Sequence, residues 1–296
     1  KILGRLRPDL VLGYTPKGVI YGAGAARLAG IPRIYTMISG LGYPFIEGRE
    51  LKRRLLKRTM LALYRRSLAY SRAVFFQNRD DLDEFRRLRL ISDRQTVVRV
   101  EGSGVDTEHF AAAPVPEGPP AFLLIARLLR DKGIFEYVEA ARRLRARHPD
   151  VAFRLLGPAD DHPNAIGPEQ LDSWRKEGVI EYLGETSDVR PYLSSSTAYV
   201  LPSYREGMPR TVLEAMSMGR AVITTDVPGC RETVVPGHNG FLVPLRDGAA
   251  LADAMERFIL QPDLTVAMGA RSREIALERF DVRRVNAVML RTMELA

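Results

Sequence analysis

The sequence has little cysteine and no long apolar run, and each absence excludes a class of protein. Its 296 residues include one cysteine, Cys230, so an internal disulfide is excluded and a reducing compartment is indicated. No apolar run reaches the roughly 18 residues that a membrane-spanning helix needs. The four histidines are too scattered along the chain to predict a metal site.

The chain also has no initiator methionine, and it opens on residues typical of a helix that runs into a strand. We therefore expect a fragment whose first domain is incomplete. The 296 residues, 46% of them apolar, are enough for two domains with separate cores.

Positive charge is unevenly distributed along the chain. Residues 1–113 carry 21 Lys and Arg against 11 Asp and Glu, whereas residues 114–296 carry 23 against 25. A nucleic acid, an anionic membrane or a phosphorylated substrate would each explain a basic first half.

Apolar strands alternate with amphipathic helices nearly throughout, which is typical of parallel sheets covered by helices on both faces. The predicted strands are residues 10–13, 33–38, 73–77, 96–100, 121–126, 151–156, 179–183, 198–201, 221–224 and 240–243. Residues 111–120 interrupt this alternation with four prolines and predict a stiff linker.

The sequence thus predicts an α/β protein with two doubly wound, Rossmann-like domains that face a cleft. We assign residues 1–113 to a partial N-terminal domain and residues 114–280 to a C-terminal domain. Residues 281–296 form a last helix that is expected to pack back on the first domain. Ligands of such sheets bind beyond the carboxyl ends of the strands.

One stretch at such a strand end combines an anion site with carboxylates. It runs from Glu206 to Glu214, and Pro209 stands where a helix would begin. A helix N-terminus attracts anions through its free N–H groups and its dipole. Two carboxylates beside it suit the hydroxyls of a sugar; the alternative is that they are ordinary acidic residues near a helix start.

A second stretch, residues 126–133, leaves the first strand of the second domain and enters a helix. Arg127 and Lys132 lie in this turn, where their charges can converge on a diphosphate. The alternative interpretation is a solvated turn, in which basic residues are common.

Together these residues resemble the retaining glycosyltransferases of the GT-B fold. The resemblance rests on Arg127, on Lys132 with the following glycine, and on two glutamates in a Glu-Gly-x-Pro frame. Residues 104–106 and 228–232 extend it over essentially the whole chain. It implies transfer of a hexose or N-acetylhexosamine from a UDP-sugar, with no cofactor and no metal.

The resemblance also implies roles for single residues. Arg127 and Lys132 would hold the donor diphosphate, Glu214 the ribose and Glu206 the transferred sugar; Arg127, Lys132 and Glu206 would thus be catalytic. The residues implied to bind the donor are Arg127, Lys132, Leu183, Glu206, Gly207, Met208, Pro209, Arg210, Thr211 and Glu214.

The acceptor side resembles transferases that build capsule, O-antigen or lipid-linked oligosaccharides, and it implies a sugar on a polyprenyl diphosphate as the partner. Its candidate residues are Lys17, Ser39, Gly40 and Tyr43. Many relatives have a histidine near the place of Ser39, so no general base is carried over.

A basic stretch at residues 50–70 predicts a helix with an interleaved apolar stripe. It either lies on an anionic membrane, with the protein peripheral at the inner face of the cytoplasmic membrane, or buries its stripe in the core. Nucleic acid is disfavoured as a partner because the stretch has no stacking platform. Two functions remain as alternatives: an enzyme like UDP-N-acetylglucosamine epimerase, and a non-catalytic nucleotide-sugar-binding module.

Overall fold

The computed structural model describes residues 2–40 and 51–296, the side chains of residues 51–57 excepted. The chain divides into two compact units. The first comprises the residues up to Ser103, the short segment Glu206–Met208 and the terminal segment Arg283–Ala296. The second comprises Gly104–Arg205 and Pro209–Val282. Each unit is built on its own parallel sheet.

The first unit has a four-stranded sheet in the order β1-β2-β3-β4. Its strands are β1 Leu10–Tyr14, β2 Arg33–Ile38, β3 Ala73–Phe76 and β4 Thr96–Arg99. All neighbouring strands run parallel. Its helical segments are Ile2–Leu6, Thr15–Lys17, the π-turn Gly18–Gly22, Ala23–Leu28, Leu51–Leu68, Arg79–Arg87 and most of Val282–Thr292.

Alternation along β3 gives this sheet two covered faces. Val74 and Phe76 belong to one buried cluster, which includes Tyr64 from the helix Leu51–Leu68. Ala73 and Phe75 belong to another cluster, which includes Met293 near the C-terminus. Because successive side chains of a strand point to opposite faces, the fully apolar strand requires cover on both.

The second unit has a six-stranded parallel sheet in the order β10-β9-β8-β5-β6-β7. Its strands are β5 Ala121–Ile125, β6 Ala152–Leu156, β7 Glu181–Tyr182, β8 Ala198–Leu201, β9 Ala221–Thr225 and β10 Gly240–Val243. The chain starts in the middle at β5, moves outward to β7, and then crosses back to β8. The direction of winding therefore reverses between β5 and β8.

Helices cover this second sheet and enclose a large aromatic core that includes Phe122, Phe153, Trp174 and Phe258. The α-helices are Ile134–Arg145, Pro168–Glu177, Arg190–Ser194, Arg210–Ser217, Gly248–Leu260 and Pro262–Ile275. Two 3-10 turns, Arg130–Lys132 and Arg231–Thr233, and a π-turn, Ala276–Phe280, complete the unit. The predicted α/β class with two Rossmann-like domains is confirmed.

Two predicted elements are shorter in the structure. The strand predicted over 179–183 is reduced to Glu181–Tyr182 at the sheet edge. The sequence also predicts a helix over residues 187–193, which in the structure begins at Arg190 because Thr186 and Asp188 fold the preceding residues into a turn. The Asp188 carboxylate accepts a hydrogen bond from the N–H of Arg190 at 3.1 Å, and a turn closed in this way competes with helix.

The division between the units falls earlier than the predicted boundary at residue 113. Val105 explains the difference, since its N–H donates to the carbonyl of Phe280 at 2.8 Å and its carbonyl accepts from Val282 at 2.9 Å. Arg220 then donates to the carbonyls of Ala113 and Pro114, at 2.8 Å each. The linker is thus hydrogen-bonded to the second unit along its length.

The basic helix predicted over 50–70 is observed as Leu51–Leu68, while residue 50 and the side chains of 51–57 lie outside the described residues. Tyr64 and Leu68 are fully buried, and Met60 packs against the same core. Arg65 and Arg66 are exposed. In its described part, therefore, the apolar stripe of the helix belongs to the core and its basic face is exposed. No helix among the described residues has the length and apolar character to span a bilayer.

Candidate functional site

The loops that carry the predicted donor residues leave the second sheet on either side of its winding reversal. Residues 126–133 follow β5, and residues 202–209 follow β8. The two strands are direct neighbours and pair at Phe122 with Ala198. A reversal of strand order opens a crevice at the carboxyl ends of the strands, which is where ligands of doubly wound sheets bind.

Gly133 joins these two loops. Its φ is +73°, and a Cβ built on it would lie 2.0 Å from the carbonyl oxygen of Pro202. Two hydrogen bonds also join the loops. The carbonyl of Asp131 accepts one from the N–H of Tyr204 at 2.8 Å and one from the hydroxyl of Ser203 at 3.1 Å. The glycine therefore permits a close approach that any side chain would prevent.

The two predicted cations lie in this turn in different settings. The Arg127 side chain is 59% exposed, and its Nη1 lies 2.8 Å from Oδ2 of Asp160. The pKa of Asp160 is lowered, first by the N–H of His162 and then by Arg127. Lys132 is half-buried at the end of the 3-10 turn. Asp160 holds the guanidinium at the surface of the turn, a partner that the sequence did not reveal.

Glu214 is a buried carboxylate in the helix that follows the β8 loop. Its side chain is 8% exposed, and Oε1 accepts a hydrogen bond from Nε of Arg210 at 2.9 Å. Burial raises the pKa of Glu214, against the opposing effects of Arg210 and His109. His109 is exposed, and nothing in the sequence indicated its influence on this carboxylate.

The start of that helix presents backbone donors. Pro209 precedes the helix Arg210–Ser217 in extended conformation, and its carbonyl accepts from the N–H groups of Val212 and Leu213. The first N–H groups of a helix have no acceptor within the helix. Thr211 is held beside them, since its Oγ1 lies 2.6 Å from the hydroxyl oxygen of Tyr199.

Leu183, one of the residues implied to bind the donor, lies just beyond β7. Its N–H donates to the carbonyl of Leu155 at 2.9 Å, and the next carbonyl, of Gly184, accepts from Gly157 at 2.7 Å. A Cβ on Gly157 would lie 1.9 Å from the carbonyl oxygen of Ala126. Backbone from β5, β6 and β7 is therefore brought together at one end of the second sheet.

The segment Glu206–Met208 belongs to the first unit. A Cβ on Gly207 would lie 2.2 Å from the carbonyl oxygen of Ser39 and 2.9 Å from Oε1 of Gln77. Nδ2 of Asn78 donates to the carbonyl of Gly207 at 2.7 Å. The structure thus places the predicted acceptor residues Ser39 and Gly40 directly against the predicted donor residue Gly207.

Asn78 and Gln77 are site residues that sequence reasoning missed. Asn78 is fully buried, and its Oδ1 accepts the N–H of Asp81 at 2.7 Å, so it caps the helix Arg79–Arg87. An asparagine shortly after a buried strand is a helix-start signal that would have identified Asn78 as a cap. Gln77 donates to the hydroxyl of Ser103 at 3.1 Å.

The remaining predicted acceptor residues are not part of this cluster as described. Lys17 is exposed at the end of the short helix Thr15–Lys17. Tyr43 lies outside the described residues. Within residues 2–40 and 51–296, no group of three or more His, Cys, Asp and Glu side chains is placed to hold a metal ion.

Two family models match the chain, one in each half. Residues 119–261 match the model described as glycosyl transferases group 1, and residues 1–101 match the model described as glycosyl transferase 4-like domain. The residues around β5 and β8 lie in the first match, and Ser39 and Asn78 lie in the second.

Sequence relatives cover most of the chain. The N,N'-diacetylbacillosaminyl-diphospho-undecaprenol alpha-1,3-N-acetylgalactosaminyltransferase of Campylobacter jejuni is 27% identical over 94% of this chain and 75% of its own length. The UDP-Gal:alpha-D-GlcNAc-diphosphoundecaprenol alpha-1,3-galactosyltransferase of Escherichia coli is 27% identical over 87% of this chain and 68% of its own.

Solved structures share the fold. The Anabaena protein HepE in complex with UDP superposes with a TM-score of 0.81 at 20% identity, over 100% of this chain and 81% of the other. Its complex with UDP-glucose gives a TM-score of 0.79. The structural neighbours are GT-B glycosyltransferases, and the fold and both matches together support a glycosyltransferase of the GT-B fold.

Proposed function

We propose that the protein is a retaining glycosyltransferase that moves a hexose or N-acetylhexosamine from a UDP-sugar to a saccharide on a polyprenyl diphosphate. Two relatives are named for transfer to undecaprenol-linked sugars, and one of them for UDP-Gal as donor. A neighbour of the same fold binds UDP and UDP-glucose. The proposed setting is surface-polysaccharide assembly.

The observation that carries this proposal is the buried carboxylate of Glu214 at the winding reversal of the second sheet. Burial of a carboxylate costs free energy unless a ligand or a partner compensates it. Arg210 supplies one partner, at 2.9 Å. Ribose hydroxyls would supply the further donors, which is the role proposed for this residue.

The proposed chemistry needs positive charge at the leaving group. The bond between the anomeric carbon and the diphosphate oxygen breaks, and a bond from that carbon to the acceptor oxygen forms on the same face. The departing phosphate takes the acceptor proton. We assign Arg127, Lys132 and the helix start at Arg210 to stabilise the diphosphate, without a metal ion. Glu206 would contact the transferred sugar.

The acceptor would approach the cluster formed by Ser39, Gly40 and Gly207. We leave the general base unassigned to a side chain, because Ser39 cannot take the place of the histidine of similar enzymes. The basic face of the helix Leu51–Leu68 is proposed to keep the protein peripheral at the inner face of the membrane. This location fits an acceptor that is itself a membrane lipid.

Donor binding is tested with Lys132→Ala and a matched control, Lys176→Ala, on an exposed helix of the same unit. Isothermal titration with UDP should show affinity weakened about tenfold or more in Lys132→Ala, as for other hydrogen bonds to charged groups. The control should bind like the wild type. Equal affinity in both variants would remove the diphosphate assignment.

Transfer is tested with the nucleotide sugar that most raises the thermal midpoint. That donor is incubated with a short-chain polyprenyl-diphosphate sugar, with and without EDTA, and the anomer of the product is read by NMR. We expect transfer both with and without EDTA, and a product that keeps the anomeric configuration of the donor sugar. Binding without transfer would favour a nucleotide-sugar-binding module, and conversion of the UDP-sugar without acceptor would favour an epimerase.

A further inference from the structure

An arginine-lined cavity lies at the amino ends of strands β3 and β4 in the first sheet, whereas the candidate site lies at the carboxyl ends. Its volume is about 940 Å³, and it lies between the end of the helix Leu51–Leu68 and the loop that leads into β4. Ser71 and Thr96, at the amino ends of β3 and β4, are part of its lining. Ser39 and Gln77 follow the carboxyl ends of β2 and β3, so the cavity is separate from the site described above.

The lining is strongly basic. It includes five arginines, Arg65, Arg72, Arg86, Arg89 and Arg94. Asp93 is the single acidic residue among the described residues that line it. The guanidinium is a rigid fork of donors that matches the oxygens of a phosphate group.

Some of these arginines have structural roles. Arg65 donates to the carbonyls of Leu88 and Arg89 at 3.3 Å each, so it anchors the loop after the helix Arg79–Arg87. Two others pair loosely with acids outside the cavity: Arg72 with Glu294 at 3.6 Å and Arg86 with Asp83 at 3.8 Å.

Arg89 and Arg94 are different. Both are exposed, and within the described part of the chain neither side chain makes an ion pair. Arg89 also has a φ of +52°, a conformation that costs a non-glycine residue free energy. The cavity wall beneath them is already hydrogen-bonded, since Nε2 of Gln95 donates to the carbonyls of Leu68 and Ser71.

We propose that this cavity binds a phosphate-bearing ligand through Arg89 and Arg94, with Arg72 and Arg86 in support. The excess of guanidinium groups over acids around an open cavity favours an anion, and their fork geometry favours phosphate. The proposal does not depend on the function proposed above. Its two possible sources, a soluble polyphosphate and a lipid head group, share this chemistry.

The test compares the double variant Arg89→Gln/Arg94→Gln with the control Arg27→Gln/Arg291→Gln. The control removes the same charge from exposed arginines of the first unit outside the cavity. Tripolyphosphate is titrated into the full chain with saturating UDP present. Vesicles of phosphatidylglycerol in phosphatidylcholine are sedimented with the chain in parallel. Thermal midpoints establish that both variants fold.

The proposal is supported if the cavity variant binds at least one of the two probes about fivefold or more weakly than the wild type and the control variant does not. Loss of tripolyphosphate affinity identifies a soluble ligand, and loss confined to the vesicles identifies a lipid head group. Equal losses in both variants would show a general charge effect and overturn the proposal. Absence of binding by the wild type to either probe would overturn it as well.

Discussion

The carboxyl ends of the two sheets are built from different chemistry. In the second unit, Arg127 and Lys132 lie in the turn that ends at Gly133, and Glu214 lies in the helix that follows β8. In the first unit, the cluster around Gly207 is formed by a backbone carbonyl of Ser39 and the amides of Gln77 and Asn78. The two cations suit a diphosphate and the carboxylate suits ribose hydroxyls, whereas the neutral groups of the first unit suit the hydroxyls of a sugar acceptor.

The two ends nevertheless share one device, because each depends on a glycine. A Cβ on Gly133 would lie 2.0 Å from the carbonyl oxygen of Pro202, and one on Gly207 would lie 2.2 Å from that of Ser39. Both distances are far shorter than the contact distance of a non-bonded carbon and oxygen. Close backbone contacts therefore fix segments that are distant in sequence at both ends. The two ends differ in the side chains that these segments carry.

The largest effect is expected at Gly133. The Gly133→Ala variant must accommodate both a positive φ and a clash with backbone, so we expect stability to fall by about 3 kcal/mol. UDP affinity should fall at least about tenfold, because Arg127 and Lys132 lie in the displaced turn. Chemical unfolding and isothermal titration measure the two effects.

Gly178→Ala is the matched control for that variant. Gly178 has a similar φ of +70°, but nothing lies within 4 Å of a Cβ built there. It should lose about 1 kcal/mol, the cost of the conformation alone, and keep its UDP affinity. If both variants behaved alike, the contact with Pro202 would not be what fixes the turn.

A smaller effect is expected at the neutral end, in Asn78→Ala. This change removes the helix cap and leaves the buried carbonyl of Gly207 without its donor, so we expect a loss of about 2–3 kcal/mol. Asp247→Ala is the control, because Asp247 caps the helix Gly248–Leu260 by one bond, to Ala250. It should lose about 1 kcal/mol in chemical unfolding. Equal losses would mean that Asn78 acts only as a cap.

The sequence predicted the elements well where apolar runs are bounded by glycine or proline. The strands Arg33–Ile38, Ala198–Leu201 and Gly240–Val243 have the predicted bounds. The strand at residues 179–183 was predicted too long because its apolar run continues beyond the edge pairing that the sheet provides. Periodicity reports which residues are apolar, but the partner strand decides where pairing ends.

The site was less accessible to sequence reasoning. Arg127, Lys132 and Glu214 stood out by residue type and spacing, and they share one unit. The order of strands, and so the crevice between β5 and β8, depends on long-range pairing that local patterns do not encode. A local pattern marks Asn78 as a helix cap, but its bond to Gly207 joins residues 129 positions apart and has no local signal.

The smallest and most specific effect is expected for Glu214→Gln. Burial raises the pKa of Glu214 in the folded protein above its ordinary value of 4.5, which the unfolded chain retains. As the pH rises from the unfolded-state pKa to the higher folded-state pKa, Glu214 loses its proton first in the unfolded chain. The folding stability therefore falls over this range of pH. A glutamine has no proton to lose, and the variant avoids this fall. Its thermal midpoint should match the wild type near pH 4 and exceed it at pH 7.

The same variant should bind UDP about tenfold more weakly at pH 7, because an amide accepts hydrogen bonds from the ribose less strongly than a carboxylate. Gain of stability with loss of affinity is the combination expected of a charge that is buried for a ligand. Glu169→Gln, at an exposed glutamate of the same unit, should change neither quantity. A Glu214→Gln midpoint that falls equally at both pH values would instead make Glu214 a structural residue, held only by its bond to Arg210.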